Sequence, residues 1–361
     1  MADKYSGYAG CLLGMAVGDA MGYTVDGKTW AEICEDYGPN GLLGYDVANG
    51  CVEVSSYTQI GAYAVNGLLL GITRGRTELY GKFIQLSLQE WARRQQLPRD
   101  PERSYCWVSH IPMLRRRHCR DGRMLDALRL QRLGTPDKPA NTNPNPGALM
   151  AAVAAGLVYD PKRMGPEDVA QLGAEAVAFT HGSPEAFLTG AVLATLIAGI
   201  LQAPQRELKQ LFLAAIEVAD ACFREKIPQM AELAAKWKLQ LSLPLTEPQQ
   251  DMEALVCDTA DQCLSGAMYA CMVSGGDFDT AMITAVNHSG RSAAVGAITG
   301  AIMGAKLGAE ALPEFYLEGL EVAPVLSDLA ADLSQGSPTV GLFNDDWDHK
   351  YTQGLPLREY G

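Results

Sequence analysis

Glycine and alanine crowd two stretches of this chain at helical spacing, and that crowding limits what the chain can fold into. The first reads GCLLGMAVGDAMG (residues 10–22) and the second VGAITGAIMGAKLG (residues 295–308). Residues three and four apart share one face of a helix, and small side chains there let another backbone come close. Gly14, Ala16, Gly18, Ala20 and Gly22 serve this in the first stretch, and an A-x-x-G repeat in the second. Aromatic residues make up only 7% of the chain, which favours closely packed helices over sheet.

Helical periodicity continues almost everywhere. It predicts helices over 8–21, 59–74, 82–96, 124–133, 147–158, 166–179, 184–201, 207–223, 228–238, 251–273 and 278–286. Alternating runs of strand length are nearly absent. The expectation is an all-α single domain over 1–333, with an irregular tail, 334–361, packed on it. Gly and Pro collect at 38–41, 134–146, 182–184 and 335–339, marking breaks. The Pro- and Asn-rich loop over 135–146 is long for a compact domain, which points to a working role.

A formal charge of −13 argues against nucleic acid as a partner, because phosphate binding needs concentrated positive charge. Arginine gathers locally over 93–132, centred on Arg115-Arg116-Arg117-His118-Cys119-Arg120. That run reads as a solvated face or as a docking patch for an acidic partner. The nine cysteines include no CxxC pair and read as reduced thiols of a cytoplasmic protein. The start MADKYSGYAG lacks an apolar signal region. Thr189, Gly190 and Thr195 interrupt the apolar run over 186–201, which reads as a buried helix, with no membrane partner expected. No P-loop, HExxH, GxSxG or strand-borne GxGxxG occurs.

The two glycine-alanine stretches, with the runs between them, resemble the ADP-ribosylglycohydrolase family from residue 10 to about 308. The resemblance implies an orthogonal helical bundle around a central cleft and, in the family, two magnesium ions held by two acidic clusters. Here GDAMGYTVD places Asp26 where the family has a glutamate, a side chain about 1.5 Å shorter in reach. Asp26 reads as a ligand contact or as a turn residue before Gly27. Asp19 is an acid in an apolar helix and needs a partner. The first metal cluster corresponds to Ser55-Ser56-Tyr57-Thr58, with the helix cap kept and both aspartates replaced. The second corresponds to Ser289-Gly290-Arg291-Ser292-Ala293, where Arg291 and Ala293 stand for two aspartates. A competing register, Gly275-Gly276-Asp277-Phe278-Asp279-Thr280, matches the metal motif by letter but also suits a helix cap.

The family's glycine-rich substrate loop corresponds to Asn143-Pro144-Asn145-Pro146-Gly147, where two prolines remove amide donors. The turn Thr180-His181-Gly182-Ser183-Pro184 resembles another family motif, with His181 a structural histidine or a base. These correspondences define a cleft of Asp26, Ser55, Ser56, Tyr57, Asn143, Asn145, Gly147, Ser289, Gly290, Arg291 and Ser292. No metal or other cofactor is expected, since magnesium's ligands are replaced. The leading expectation is a catalytically inactive relative whose cleft binds an anionic small molecule such as ADP-ribose. Two alternatives are a metal-independent hydrolase of ADP-ribosyl or related N-glycosidic bonds, with Asp19 or Asp26 as catalytic candidates, and a scaffold or immunity-type protein using the Arg115–Arg120 face.

Overall fold

Helix α1 (Lys4–Val25) is buried almost all round from Tyr8 to Gly22, so it forms the axis of the molecule rather than an outer layer. The computed structural model describes residues 4–47, 52–96, 104–130, 133–336 and 345–360. Helix α2 (Trp30–Tyr37) starts at a reciprocal cap between Thr29 and Glu32. Helix α3 (Ser56–Thr73) packs against α4 (Tyr80–Gln96). Short α5 (Gly122–Leu128) precedes the loop leading to α6 (Leu149–Leu157). Helices α7 (Pro166–Ala178) and α8 (Pro184–Gln202) each begin with proline, whose missing N–H costs nothing at that position. Helix α8 is apolar and long enough to cross a membrane, but 78% of its most apolar window is buried among α6, α7 and α9 (Leu208–Phe223).

The chain continues through α10 (Gln229–Gln240), α11 (Pro248–Ala254), α12 (Ala260–Val273), α13 (Phe278–Val286) and α14 (Ser292–Leu307). After α15 (Glu314–Glu318) and α16 (Ala323–Gln335), α17 (Asp345–Tyr351) closes the series. Among the described residues there are no strands, only one isolated bridge between Thr135 and Lys138. The architecture is an all-α orthogonal bundle.

Helices α1 and α14 run antiparallel with their backbones touching. Gly10 faces Gly304, Gly14 faces Gly300, Gly18 faces Gly296, and Gly22 faces Ser292. A Cβ added at Gly18 would lie 1.9 Å from the Gly296 carbonyl oxygen, well inside any allowed contact. Two glycine stripes therefore become one seam that runs from the Gly10–Gly304 pair to the Gly22–Ser292 pair.

The structure adds α2, α15 and α16 to the helices the periodicity predicts, and differs from it in three further places. The helix expected over 251–273 is two helices, because Val256 (φ 64°) and Cys257 (φ 51°) adopt left-handed backbone between α11 and α12. The capping pair of Thr259 and Gln262 starts the second. The tail read as irregular contains α17, whose Trp347, Lys350 and Tyr351 are buried. The helix expected over 124–133 ends at Leu128. Cys51, and the part of the 335–339 break beyond Gly336, lie outside the described residues.

Candidate ligand cleft

Asp19 sits fully buried on α1 and faces the start of α3. Its carboxylate accepts hydrogen bonds from the backbone N–H of Ser55 (2.9 Å) and Thr58 (2.9 Å) and from both hydroxyls, Ser55 Oγ at 2.5 Å and Thr58 Oγ1 at 2.6 Å. Ser55 in turn accepts from the Tyr57 N–H at 3.2 Å. Burial pushes the Asp19 carboxyl up to about 6, against the pull of these hydrogen bonds toward the ionised form. Both oxygens of this carboxylate are occupied by protein donors and lie out of reach of solvent. Asp19 therefore fastens α1 to α3.

Asp26 lies one residue past α1, where the glycine seam delivers it to the first turn of α14. It accepts the Ala293 N–H at 3.2 Å. Burial raises its pKa, while the Ala293 N–H and the guanidinium groups of Arg291 and Arg120 work the other way. Tyr57 keeps part of its surface open, yet its hydroxyl is enclosed, and burial drives its pKa well above the usual value. The negative charge of Asp26 adds to that rise and Arg291 opposes it, so these three side chains share one electrostatic environment. Tyr57 at the start of α3, Asp26 after α1, and Arg291 with Ala293 at the start of α14 thus neighbour one another.

The rest of the second run is turned elsewhere. Ser289 accepts the Trp30 N–H (2.8 Å) and donates its own N–H to Glu253 (2.8 Å), so it ties α2 and α11 together. The Gly290 N–H donates to His288 Nδ1 at 2.9 Å, and the buried Ser292 hydroxyl donates to the His288 carbonyl at 3.3 Å. Burial lowers the His288 pKa to about 4, leaving a neutral ring that serves as a brace.

The Asn143–Gly147 loop is held from behind by a residue that sequence reading did not single out. Asp121, the N-cap of α5, accepts from the side-chain amides of Asn143 (2.8 Å) and Asn145 (3.3 Å) and from the Met124 N–H (3.2 Å). Burial opposes its ionisation, but the neighbouring His181 and the Asn143 amide hold it well below the usual carboxylate range. His181 is fully buried, with Nδ1 at 2.7 Å from Thr180 Oγ1 and Nε2 3.6 Å from Asp121. Burial lowers its pKa, so it is neutral and structural. The Pro144 carbonyl accepts the Ala260 N–H at 2.8 Å, docking the loop on α12. The signal for Asp121 was its place just before a predicted helix, where an aspartate caps.

The arginine-rich run is tied to α3 and α4 through its backbone. The Arg116 carbonyl accepts from Gln59 (2.9 Å) and Gln95 (3.1 Å), and its guanidinium meets Glu53 (3.0 Å) and Glu321 (3.5 Å). His118 Nδ1 lies 3.2 Å from the Tyr23 hydroxyl. Arg117 and Arg120 are exposed, and Arg120 acts electrostatically on Asp26. Asp277 caps α13 by accepting the Thr280 N–H (2.7 Å), and Asp279 accepts the Tyr316 hydroxyl (2.5 Å). The run Gly275–Thr280 is thus a helix start, and its two carboxylates are engaged there. Among the described residues no three His, Cys, Asp or Glu side chains gather as a ligand set.

Comparison with known proteins agrees with this frame. A solved structure described as an ADP-ribosylglycohydrolase-related protein complex matches with a TM-score of 0.61 and 23% identity, over 93% of this chain and 99% of that one. At that identity the likeness shows the fold. No curated protein matches the chain. The family model for ADP-ribosylglycohydrolase matches residues 1–341. The chain belongs to the ADP-ribosylglycohydrolase family.

Proposed function

We propose that this protein is a non-hydrolysing member of the family whose cleft binds an anionic small molecule of the ADP-ribose type without magnesium. One observation carries the reading: Arg291 stands at the start of α14, electrostatically coupled to Tyr57 and Asp26, where the family resemblance expects metal-binding aspartates. Magnesium takes six oxygen ligands in near-octahedral geometry and leans on carboxylates. The residues gathered here offer two carboxylates, Asp26 and Asp258, the second already paired with Arg291 at 2.9 Å and the first opposed by Arg291 and Arg120, together with an enclosed phenol. That donor set does not fit the ion. A guanidinium, by contrast, suits a diphosphate, which it can grip through two parallel N–H···O bonds.

Calorimetry with ADP-ribose in EDTA, beside elemental analysis of the purified protein, tests the proposal. Binding in EDTA is expected, and Arg291→Gln should weaken it by about 1.5–3 kcal/mol, the scale of a hydrogen bond to a charged group. Stoichiometric magnesium, or metal-dependent turnover of ADP-ribosyl-arginine or ADP-ribosyl-serine, would overturn it. The second reading, a metal-independent hydrolase, rests on Asp26 alone, whose raised pKa suits a general base. Turnover in EDTA that Asp26→Asn abolishes would favour that reading instead.

A further inference from the structure

The link between α11 and α12 holds an unusual backbone for its residues. Val256 and Cys257 are the non-glycine residues with positive φ among those described, at 64° and 51°. A β-branched residue in the left-handed region is a genuine outlier, and the Val256 side chain is 56% exposed, so burial repays little of that cost. Such strain persists only where the surroundings impose it, and it gathers at functional sites.

What this backbone delivers is Arg291. The Cys257 carbonyl accepts the Arg291 N–H at 2.8 Å and the Cys263 thiol at 3.3 Å. Asp258, next in the chain, accepts Arg291 Nε at 2.9 Å. Gly290 completes the fit, since a Cβ there would come within 2.5 Å of the Val256 carbonyl oxygen. Cys257 itself is buried against Gly266 of α12, which anchors the turn. Arg291 is thus held at its backbone and at one edge of its guanidinium. Its two terminal nitrogens make no hydrogen bond among the described residues, and they are the pair a bidentate oxyanion would take.

We infer that Val256, Cys257 and Asp258 form a strained clamp that pre-positions Arg291 for a diphosphate-like oxyanion, an inference that rests on the binding role proposed above. Val256 and Asp258 are positioning residues, since neither need touch the ligand. Glycine adopts left-handed backbone without strain, so Val256→Gly should relax the clamp. In the full-length protein this variant is expected to have a Tm no lower than the wild type. It should bind ADP-ribose about three- to ten-fold more weakly, because pre-organisation is lost. NMR exchange of the Arg291 Nε–H with solvent should be several-fold faster in Val256→Gly and faster still in Asp258→Asn. Unchanged Nε–H exchange in both variants would overturn the clamp, as would a Tm of Val256→Gly well below wild type. If wild type and Arg291→Gln bind ADP-ribose equally, the binding role fails while the exchange measurement still decides the clamp. If Arg291→Gln loses affinity and Val256→Gly keeps it in full, the clamp fails and the binding role stands.

Discussion

Asp19 and Asp26 stand seven residues apart on one segment, and their surroundings give them opposite duties. Four hydrogen bonds from the start of α3 fill Asp19, whereas Asp26 accepts one backbone N–H and faces two arginines. Asp19→Asn keeps the shape but turns an NH2 group toward donors, so it should cost about 2–3 kcal/mol in chemical denaturation at neutral pH. Because burial raises the Asp19 pKa from 3.8 to about 6, the folded chain binds that proton more tightly than the unfolded chain. Its contribution to stability is complete below pH 3.8 and is lost as pH rises to about 6. The loss is on the order of 3 kcal/mol. Denaturation curves across that window should show this decline in the wild type and its absence in Asp19→Asn. The need of Asp19 for a partner was legible in the sequence, as was the cap at Ser55. For Asp121 only the capping position was legible, because its partners Asn143, Asn145 and His181 reach it only through the folding of distant loops.

At the scale of elements, the seam between α1 and α14 is the feature the sequence shows most plainly. Two helices carrying glycine on one face can bring their backbones together, where weak Cα–H···O contacts and dispersion replace side-chain packing. Gly300→Ala places a Cβ 1.9 Å from the Gly14 carbonyl oxygen, so the helices must separate. The expected cost is about 1–3 kcal/mol, measurable as a lower Tm. The variant should also weaken ligand binding, since Asp26 and Ala293 meet at the end of that seam. The break between α11 and α12 was hidden for the opposite reason. Valine and cysteine do not favour left-handed backbone, so no residue in that link announces a turn. Only the cap formed by Thr259 and Gln262 was there to be read.

Across the whole molecule, the chain's last described segment packs on α16 and on Trp107. Lys350 on α17 is buried, pairs with Asp332 at 2.7 Å, and lies 5.1 Å from the centre of the Trp107 ring. Tyr360 packs on the same indole at 5.7 Å. Lys350→Ala would leave Asp332 without its cation, at a cost of about 3–5 kcal/mol. Hydrogen exchange should then rise first over residues 104–120, which carry Trp107 and the arginine run. A broader test places acids at the four positions where the family resemblance expects them. Ser56→Asp, Tyr57→Asp, Arg291→Asp and Ala293→Asp together should regain magnesium binding, seen by calorimetry, before any glycohydrolase turnover. Oxygen ligands alone suffice for the ion, while turnover needs a substrate held in narrow geometry. The loop that would hold it has prolines at 144 and 146 and is pinned to Asp121. Turnover at an ordinary enzyme rate would show instead that the substrate cleft is intact. By itself the sequence determined the all-α class and the two central helices, because periodicity is a local property. Only the tertiary structure decided that Asp19 is filled, that Asp121 holds the loop and that Arg291 is clamped. Each of those depends on which groups, distant in sequence, come to share the same few ångströms.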